Sequence, residues 1–193
     1  MKKSTIGLIA AVAIIAMWAM GGYNSMVQEQ EKATTALANV QSAYQRRADL
    51  IPNLVETVKG YASHEKGTLE GVVAARAKAT QITLDPENLT PEKLKEFQQA
   101  QGELGSALGK LIAIQENYPV LKANENFRDL QVQLEGTENR INEARNKFNS
   151  VVQQYNIVIR KFPKNILAGI FGFNNMDKFE AEAGAEKAPQ VKF

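Results

Sequence analysis

The chain of 193 residues contains no cysteine and a single histidine. Without thiols there is no disulfide framework, zinc finger, iron–sulfur cluster or thiol nucleophile, and no cysteine to carry a lipid. His64 stands alone beside Glu65 with no second imidazole to share a metal, so a surface or capping role is preferred to ligation. Charge of one sign is also lacking. The formal net charge of +2 comes entirely from Lys2 and Lys3, because the rest of the chain carries 21 basic and 21 acidic residues. A neutral body offers no broad phosphate-binding face, so nucleic acid is not an expected partner. No nucleophile elbow, HExxH pair or glycine-rich phosphate loop occurs, and no carboxylate is singled out by spacing. No catalytic residue, metal or cofactor is therefore expected, and the chain is read as a non-enzyme.

Charge is absent in another way near the N-terminus. From Ser4 to Gln28 no side chain is charged at neutral pH, and Ile6 to Gly22 is a run of 17 residues made of apolar side chains and glycine. That length is at the short end of the ~17 to 25 residues that span a bilayer as a helix. Trp18 and Tyr23 sit near its outer end, where amphipathic rings suit the headgroup layer. A cleaved secretory signal competes with a retained anchor, Ala19-Met20-Gly21 being a loose cleavage site. The anchor is favoured because the run is long for a signal and a helical pattern continues straight out of it. Lys2 and Lys3 precede the span, and the first basic residue beyond it, Lys32, is accompanied by Glu29 and Glu31. The positive-inside rule then places a short N-terminus in the cytoplasm and the body outside the cytoplasmic membrane, in the periplasm of a Gram-negative cell.

The body reads as all-α. Alternating steps of four and three residues from Met26 to Tyr61 meet only two polar residues, Gln30 and Arg47. The same alternation from Phe127 to Phe162 meets only Thr137. Such runs mark helices packed along a narrow seam. Two shorter helices lie between them, with Asp85-Pro86-Glu87 and Thr90-Pro91-Glu92 each offering a cap, a first-turn proline and an acid. Tyr118-Pro119 ends the third, and Asn124 or Asn126 starts the fourth. The predicted architecture is an N-terminal transmembrane helix (1–22) continuing into an antiparallel up-down-up-down bundle (23–162), then an amphipathic closing segment and loose tail (163–193). Helices over Tyr23–Tyr61 and Asn124–Phe162, about 58 Å each, outrun the two shorter ones. The membrane-proximal part of the long pair is thus expected to be bare, and to self-associate or take a partner.

Aligning the two long helices antiparallel puts Arg47 opposite Glu138, with Glu135 as the fallback one turn away. A charge on the seam requires a partner, so a buried Arg47–Glu138 ion pair that sets alignment is preferred to a catalytic role. Leu37, Val151, Tyr155, Val158 and Phe162 make up the stripe expected to form an interface between chains. Asn142, Asn149 and Asn156 recur every seven residues beside it, and two readings stay open: amides paired across the interface, or a solvated flank of the core. Pro52 removes an amide donor inside the first helix and predicts a bend. Gly102, Gly105 and Gly109 are read as a face for close helix approach. Arg160, Lys161 and Lys164 precede an apolar stretch containing Ile166, Leu167, Ile170, Phe171 and Phe173. This stretch returns to the membrane end of the bundle, where it rests on headgroups, packs under a neighbouring subunit or closes the bundle's open end.

The segments Arg46-Arg47-Ala48-Asp49-Leu50-Ile51-Pro52-Asn53-Leu54-Val55, Val58-Lys59-Gly60-Tyr61 and His64-Glu65 resemble the LemA family. So do Tyr118-Pro119-Val120-Leu121-Lys122-Ala123-Asn124, Leu134-Glu135-Gly136-Thr137-Glu138, Tyr155-Asn156 and Phe162-Pro163. The match runs to about Phe179, with one departure: Phe148 stands where the family commonly has tyrosine. The resemblance implies a bacterial single-pass membrane protein with a long helical bundle, and it brings no agreed activity or catalytic residues. Two functions remain open. One is a membrane-anchored scaffold that self-associates at the cell envelope, with the lipid bilayer and an envelope protein as partners. The other is a ligand- or peptide-binding sensor subunit acting with a membrane partner.

Overall fold

A computed structural model describes residues 3–180, apart from the side chains of residues 3–5 and 87. Helix α1 (Lys3–Tyr61) is continuous, about 88 Å long at the ordinary helical rise. It is followed by α2 (Lys66–Gln81), α3 (Pro91–Ala113), the single turn α4 (Pro119–Lys122), α5 (Glu125–Arg160) and α6 (Lys164–Phe171). No strand occurs among the described residues. The proline signals resolve differently from one another. Thr90 caps α3, its hydroxyl accepting from the Lys93 amide at 3.3 Å with Pro91 in the first turn, whereas Pro86–Asn88 forms only a short 3-10 turn. Asn124 caps α5, accepting from the Phe127 amide at 2.8 Å.

Helices α1 and α5 form the principal packed pair, and α2 and α3 cover the far half of α1. The expected seam of α1 is buried from Ala33 through Leu37, Val40, Tyr44, Arg47, Ile51 and Leu54 to Val58, whereas Tyr61 is exposed. On α5 the seam follows the predicted spacing through Phe127, Leu134, Thr137, Ile141 and Phe148, then shifts. Tyr155 is buried at its expected position, but Val152 and Ile159 are buried around it in place of Val151, Val158 and Phe162, the first two of which are half-buried and the last 77% exposed. A straight helix drifts by ~20° per heptad against a strict seven-residue repeat, and α5 ends at Arg160, before Phe162.

The membrane-proximal half of the pair is not bare. Below α2 and α3 it is covered by α6 and by an extended segment, 173–180, that runs back along α5. Met26, Tyr155, Ile159, Leu167 and Ala168 form one small core there. A second core joins Leu37, Val40, Phe97, Phe148 and Val152 to Leu84 and Phe179. The turn into the extended segment is made at Gly172, whose φ of 76° lies in the left-handed region that glycine enters without a Cβ penalty. There the Phe173 amide donates to the Ala168 carbonyl at 3.0 Å, closing α6.

Candidate interaction surfaces

Three arrangements concentrate the polar chemistry of the molecule. The first surrounds Arg47 where α1, α3 and α5 face one another. Its Nη1 donates to Glu138 Oε1, and its Nη2 donates to Gln101 Oε1 at 2.7 Å and to the Gln101 carbonyl at 3.1 Å. Gln101 in turn donates to the Ala79 carbonyl at the end of α2, at 3.2 Å. The guanidinium also lies 5.2 Å from the Tyr44 ring centre. The Arg47 side chain is 5% exposed and that of Glu138 46%, so the pair is half-open rather than buried. Most of the desolvation falls on the arginine, and Glu138 is solvated on its free side. Gln101 keeps the helical spacing of Leu94, Phe97 and Leu104, but without a charge nothing in the sequence marks it as a partner of Arg47.

A related answer is given to Pro52. The helix continues through it, and proline leaves the carbonyl four residues earlier, Ala48, without its helical donor. Arg76 of α2 supplies one, its Nε lying 2.8 Å from the Ala48 oxygen. A buried carbonyl needs such a partner, and the proline itself was the signal that one was required.

The second arrangement is a clamp on the extended segment. Asn149 donates Nδ2 to the Phe179 carbonyl and accepts the Phe179 amide on Oδ1, both at 2.9 Å. Asn156 does the same for Met176, at 2.9 and 3.0 Å. The fit is one of spacing: seven residues of helix advance about 10.5 Å, and three residues of extended chain about 10 Å. Two asparagines a heptad apart therefore meet two backbone units three residues apart. The Tyr155 hydroxyl donates to the Asn174 carbonyl at 2.9 Å, and burial pushes its pKa above the ordinary tyrosine value. The expected interface must be corrected accordingly. Leu37 and Tyr155 are buried inside the chain, and both amide atoms of Asn149 and Asn156 are engaged by its own backbone. Asn142 alone of the three faces solvent.

The third arrangement is a collar where the apolar part of α1 ends. Leu167 sits so close to Gly22 that a Cβ there would lie 2.7 Å from Leu167 Cδ1. Tyr23 meets Phe171 and Phe173 edge to face, with centroids 5.0 and 5.6 Å apart. Lys164 donates to Ser25 at 2.8 Å. Of the residues expected at the membrane, Leu167 instead packs inward and Phe173 is half-buried, because α6 is amphipathic and spends one face on α1. Ile166, Ile170 and Phe171 remain exposed together with Phe162, beside exposed Arg160 and Lys161. Trp18 is exposed on the apolar run, Lys3 opens α1, and Lys2 lies outside the described residues.

A groove of about 1140 Å³ separates α3 from α5, floored by Tyr44 and Arg47. The glycines expected to allow close helix packing line it instead. A Cβ at Gly102 or Gly109 would meet nothing within 4 Å, and one at Gly105 would meet only Arg47 Nη1 at 4.0 Å. Among the described residues no group of three or more His, Asp or Glu side chains is placed to hold a metal.

The LemA family model matches residues 36–193, everything beyond the apolar run and the first turns of the bundle. The chain belongs to the LemA family. It is 30% identical over 200 residues to magnetosome protein MamQ 2 of Paramagnetospirillum magneticum, covering 94% of this chain and 72% of that protein. To magnetosome protein MamQ of Magnetospirillum gryphiswaldense it is 28% identical, covering 99% and 79%. To Protein LemA of Metamycoplasma hominis it is 24% identical, covering 90% and 75%. This LemA-family chain is a membrane-associated helical protein, whose first helix is long and apolar enough to cross a bilayer.

Proposed function

We propose that the protein is a structural element of the cell envelope: a single-pass anchor with a cytoplasmic N-terminus that holds a rigid bundle upright on the outer face of the membrane. The collar is the observation that carries this reading. A helix that only crossed the bilayer would leave the bundle free to tilt at the membrane exit, whereas α6 is pinned to Gly22, Tyr23 and Ser25 where the apolar run ends. Its exposed Ile166, Ile170 and Phe171, with Phe162 and the neighbouring Arg160 and Lys161, suit the boundary between acyl chains and headgroups. The relatives named as magnetosome proteins bear the name of a cellular structure rather than of a reaction, which agrees with a structural role.

Self-association belongs to the same proposal, through the span and collar rather than through Tyr155. Confinement in a plane raises local concentration and favours lateral contacts that are weak in solution. Closed rings are the expected product of such contacts between identical chains. The test uses full-length protein in lipid discs, with Trp18→Phe and Phe171→Trp so that position 171 carries the lone tryptophan. Quenching by lipids labelled near the headgroup is expected, together with a sedimenting species larger than one chain. An unquenched tryptophan would overturn the collar, and a monomer in discs of several sizes would overturn the assembly.

A further inference from the structure

We propose that the collar is a binding site for acidic phospholipid, with headgroup phosphates of the outer leaflet held by Arg160, Lys161 and Lys164. The site exists only if α6 lies at the membrane surface, as proposed above. The depth of the three cations is set by α1. From Lys3 through Gly22 this helix advances about 30 Å, the thickness of a bilayer's hydrocarbon core, so with Lys3 at the inner edge Gly22 stands at the outer one. Lys164 donates to Ser25 Oγ at 2.8 Å, which pins its ammonium about 5 Å beyond that edge. Headgroups occupy about 5 to 8 Å on each side of the core, so the ammonium lies at the level of the phosphates. Arg160 ends α5, and the Lys161 carbonyl accepts the Asn165 amide of α6 at 3.0 Å, which brings all three cations to one corner of the collar.

These cations have no counter-ion within the chain. Among the described residues none of the three forms an ion pair, whereas Lys32, two turns above Ser25 on α1, is bridged to Glu29 at 2.8 Å. No acidic residue occurs from Ala144 to Met176, nor on α1 before Glu29. The half-buried Lys164 ammonium spends one donor on Ser25 and keeps two, and the exposed Arg160 guanidinium offers the planar fork that matches phosphate oxygens. The neighbours of the cations decide the source of that phosphate. Phe162, Ile166, Ile170 and Phe171 are exposed beside them, and only a ligand that brings its own acyl chains gives those side chains an apolar surface to enter. A soluble phosphate would leave them in water.

The test uses the full-length protein carrying Trp18→Phe and Phe171→Trp, in phosphatidylcholine discs that contain a small, equal fraction of headgroup-labelled quencher lipid, either phosphatidylglycerol or phosphatidylcholine. The labelled phosphatidylglycerol is expected to be enriched around position 171 by about fivefold or more, the gain ordinarily given by one basic residue at an acidic surface. Raising sodium chloride to about 0.5 M should remove most of the enrichment in the same protein, because the contact is between charges. Adding Arg160→Gln, Lys161→Gln and Lys164→Gln should remove it at low salt, while quenching by labelled phosphatidylcholine, which needs no charge, stays unchanged and reports that α6 is still seated. Equal quenching by the two lipids, or an enrichment that survives high salt or the triple substitution, would overturn the proposal and leave the collar at the membrane. Quenching by neither lipid would overturn the collar and the site together. Sodium phosphate in place of chloride at equal ionic strength should leave the enrichment as it was. Its abolition by phosphate would assign the cations to a soluble anion and overturn the lipid site.

Discussion

The two halves of the bundle bury one continuous seam by different means. In the membrane-distal half, α1 and α5 are joined by α2 and α3, and the core is mostly aliphatic: Ile51, Leu54, Val58, Val72, Leu104 and Leu111. Side chains there meet side chains across helix faces, and the polar groups that enter do so as pairs between helices, Arg47 with Gln101 and Glu138, or to repair a local fault, as Arg76 does at the carbonyl stranded by Pro52. In the proximal half two helices are covered by one short helix and an extended segment. An extended segment satisfies few of its backbone groups internally, so α5 must supply the partners. Asn149, Tyr155 and Asn156 supply them, while Met176 and Phe179 contribute the apolar contacts. The same length of seam is thus closed by packing at one end and by side-chain-to-backbone hydrogen bonds at the other.

The largest test of this difference is Tyr155→Asp. In a bare interface the change would separate protomers and spare the fold. In the present arrangement it puts a carboxylate into the proximal core and is expected to cost about 4 kcal/mol or more of stability. Thermal denaturation of the full-length protein in mild detergent at several protein concentrations distinguishes the two, since loss of stability independent of concentration marks an intrachain role. Next in size is the pair Asn149→Ala with Asn156→Ala. Four hydrogen bonds to the extended segment are lost, at about 1 kcal/mol each. The segment should detach while α5 stays helical, and limited trypsin digestion should then cut after Lys178 far sooner than in the parent protein.

The distal half is probed through its polar repairs. Glu138→Ala leaves the Arg47 guanidinium buried without its carboxylate and is expected to cost about 3 kcal/mol. Arg47→Met leaves a half-exposed acid that water can solvate, so its cost, about 1 to 2 kcal/mol, is that of an unpaired Gln101. The double variant should be no worse than Arg47→Met alone. Additive losses in chemical denaturation would show that the two positions are uncoupled. The smallest expected effect is at Arg76. Arg76→Met strands the Ala48 carbonyl at about 1 kcal/mol, and Pro52→Ala, which restores the helical donor, should cancel most of that loss. If Pro52→Ala rescues nothing, Arg76 serves some purpose other than this carbonyl.

What was legible in the residues follows the range over which each signal acts. The seams of α1 and α5, the caps at Thr90 and Asn124 and the facing of Arg47 and Glu138 are consequences of helical periodicity, which repeats along the chain and can be counted. The asparagine heptad was visible for the same reason, although its purpose was not. Two amides seven residues apart are equally consistent with a chain partner, a neighbour or water, and only the extended segment brought alongside chooses among them. That segment has no period of its own between Phe173 and Glu180, so nothing local announces where it lies.

By itself, then, the sequence determined an all-helical body continuous with an apolar N-terminal run, the antiparallel pairing of its two longest helices, and the absence of thiol chemistry. These depend on side-chain type and spacing, which are properties of the chain before it folds. Tertiary structure alone decided which part of the seam is covered by α6 and residues 173–180, that Arg76 completes the helix around Pro52, and that the glycines of α3 face a groove instead of a neighbouring helix. Each of those depends on segments far apart in sequence meeting at hydrogen-bond or van der Waals distance. Such meetings are set by the global balance of buried surface and satisfied backbone, not by any local pattern.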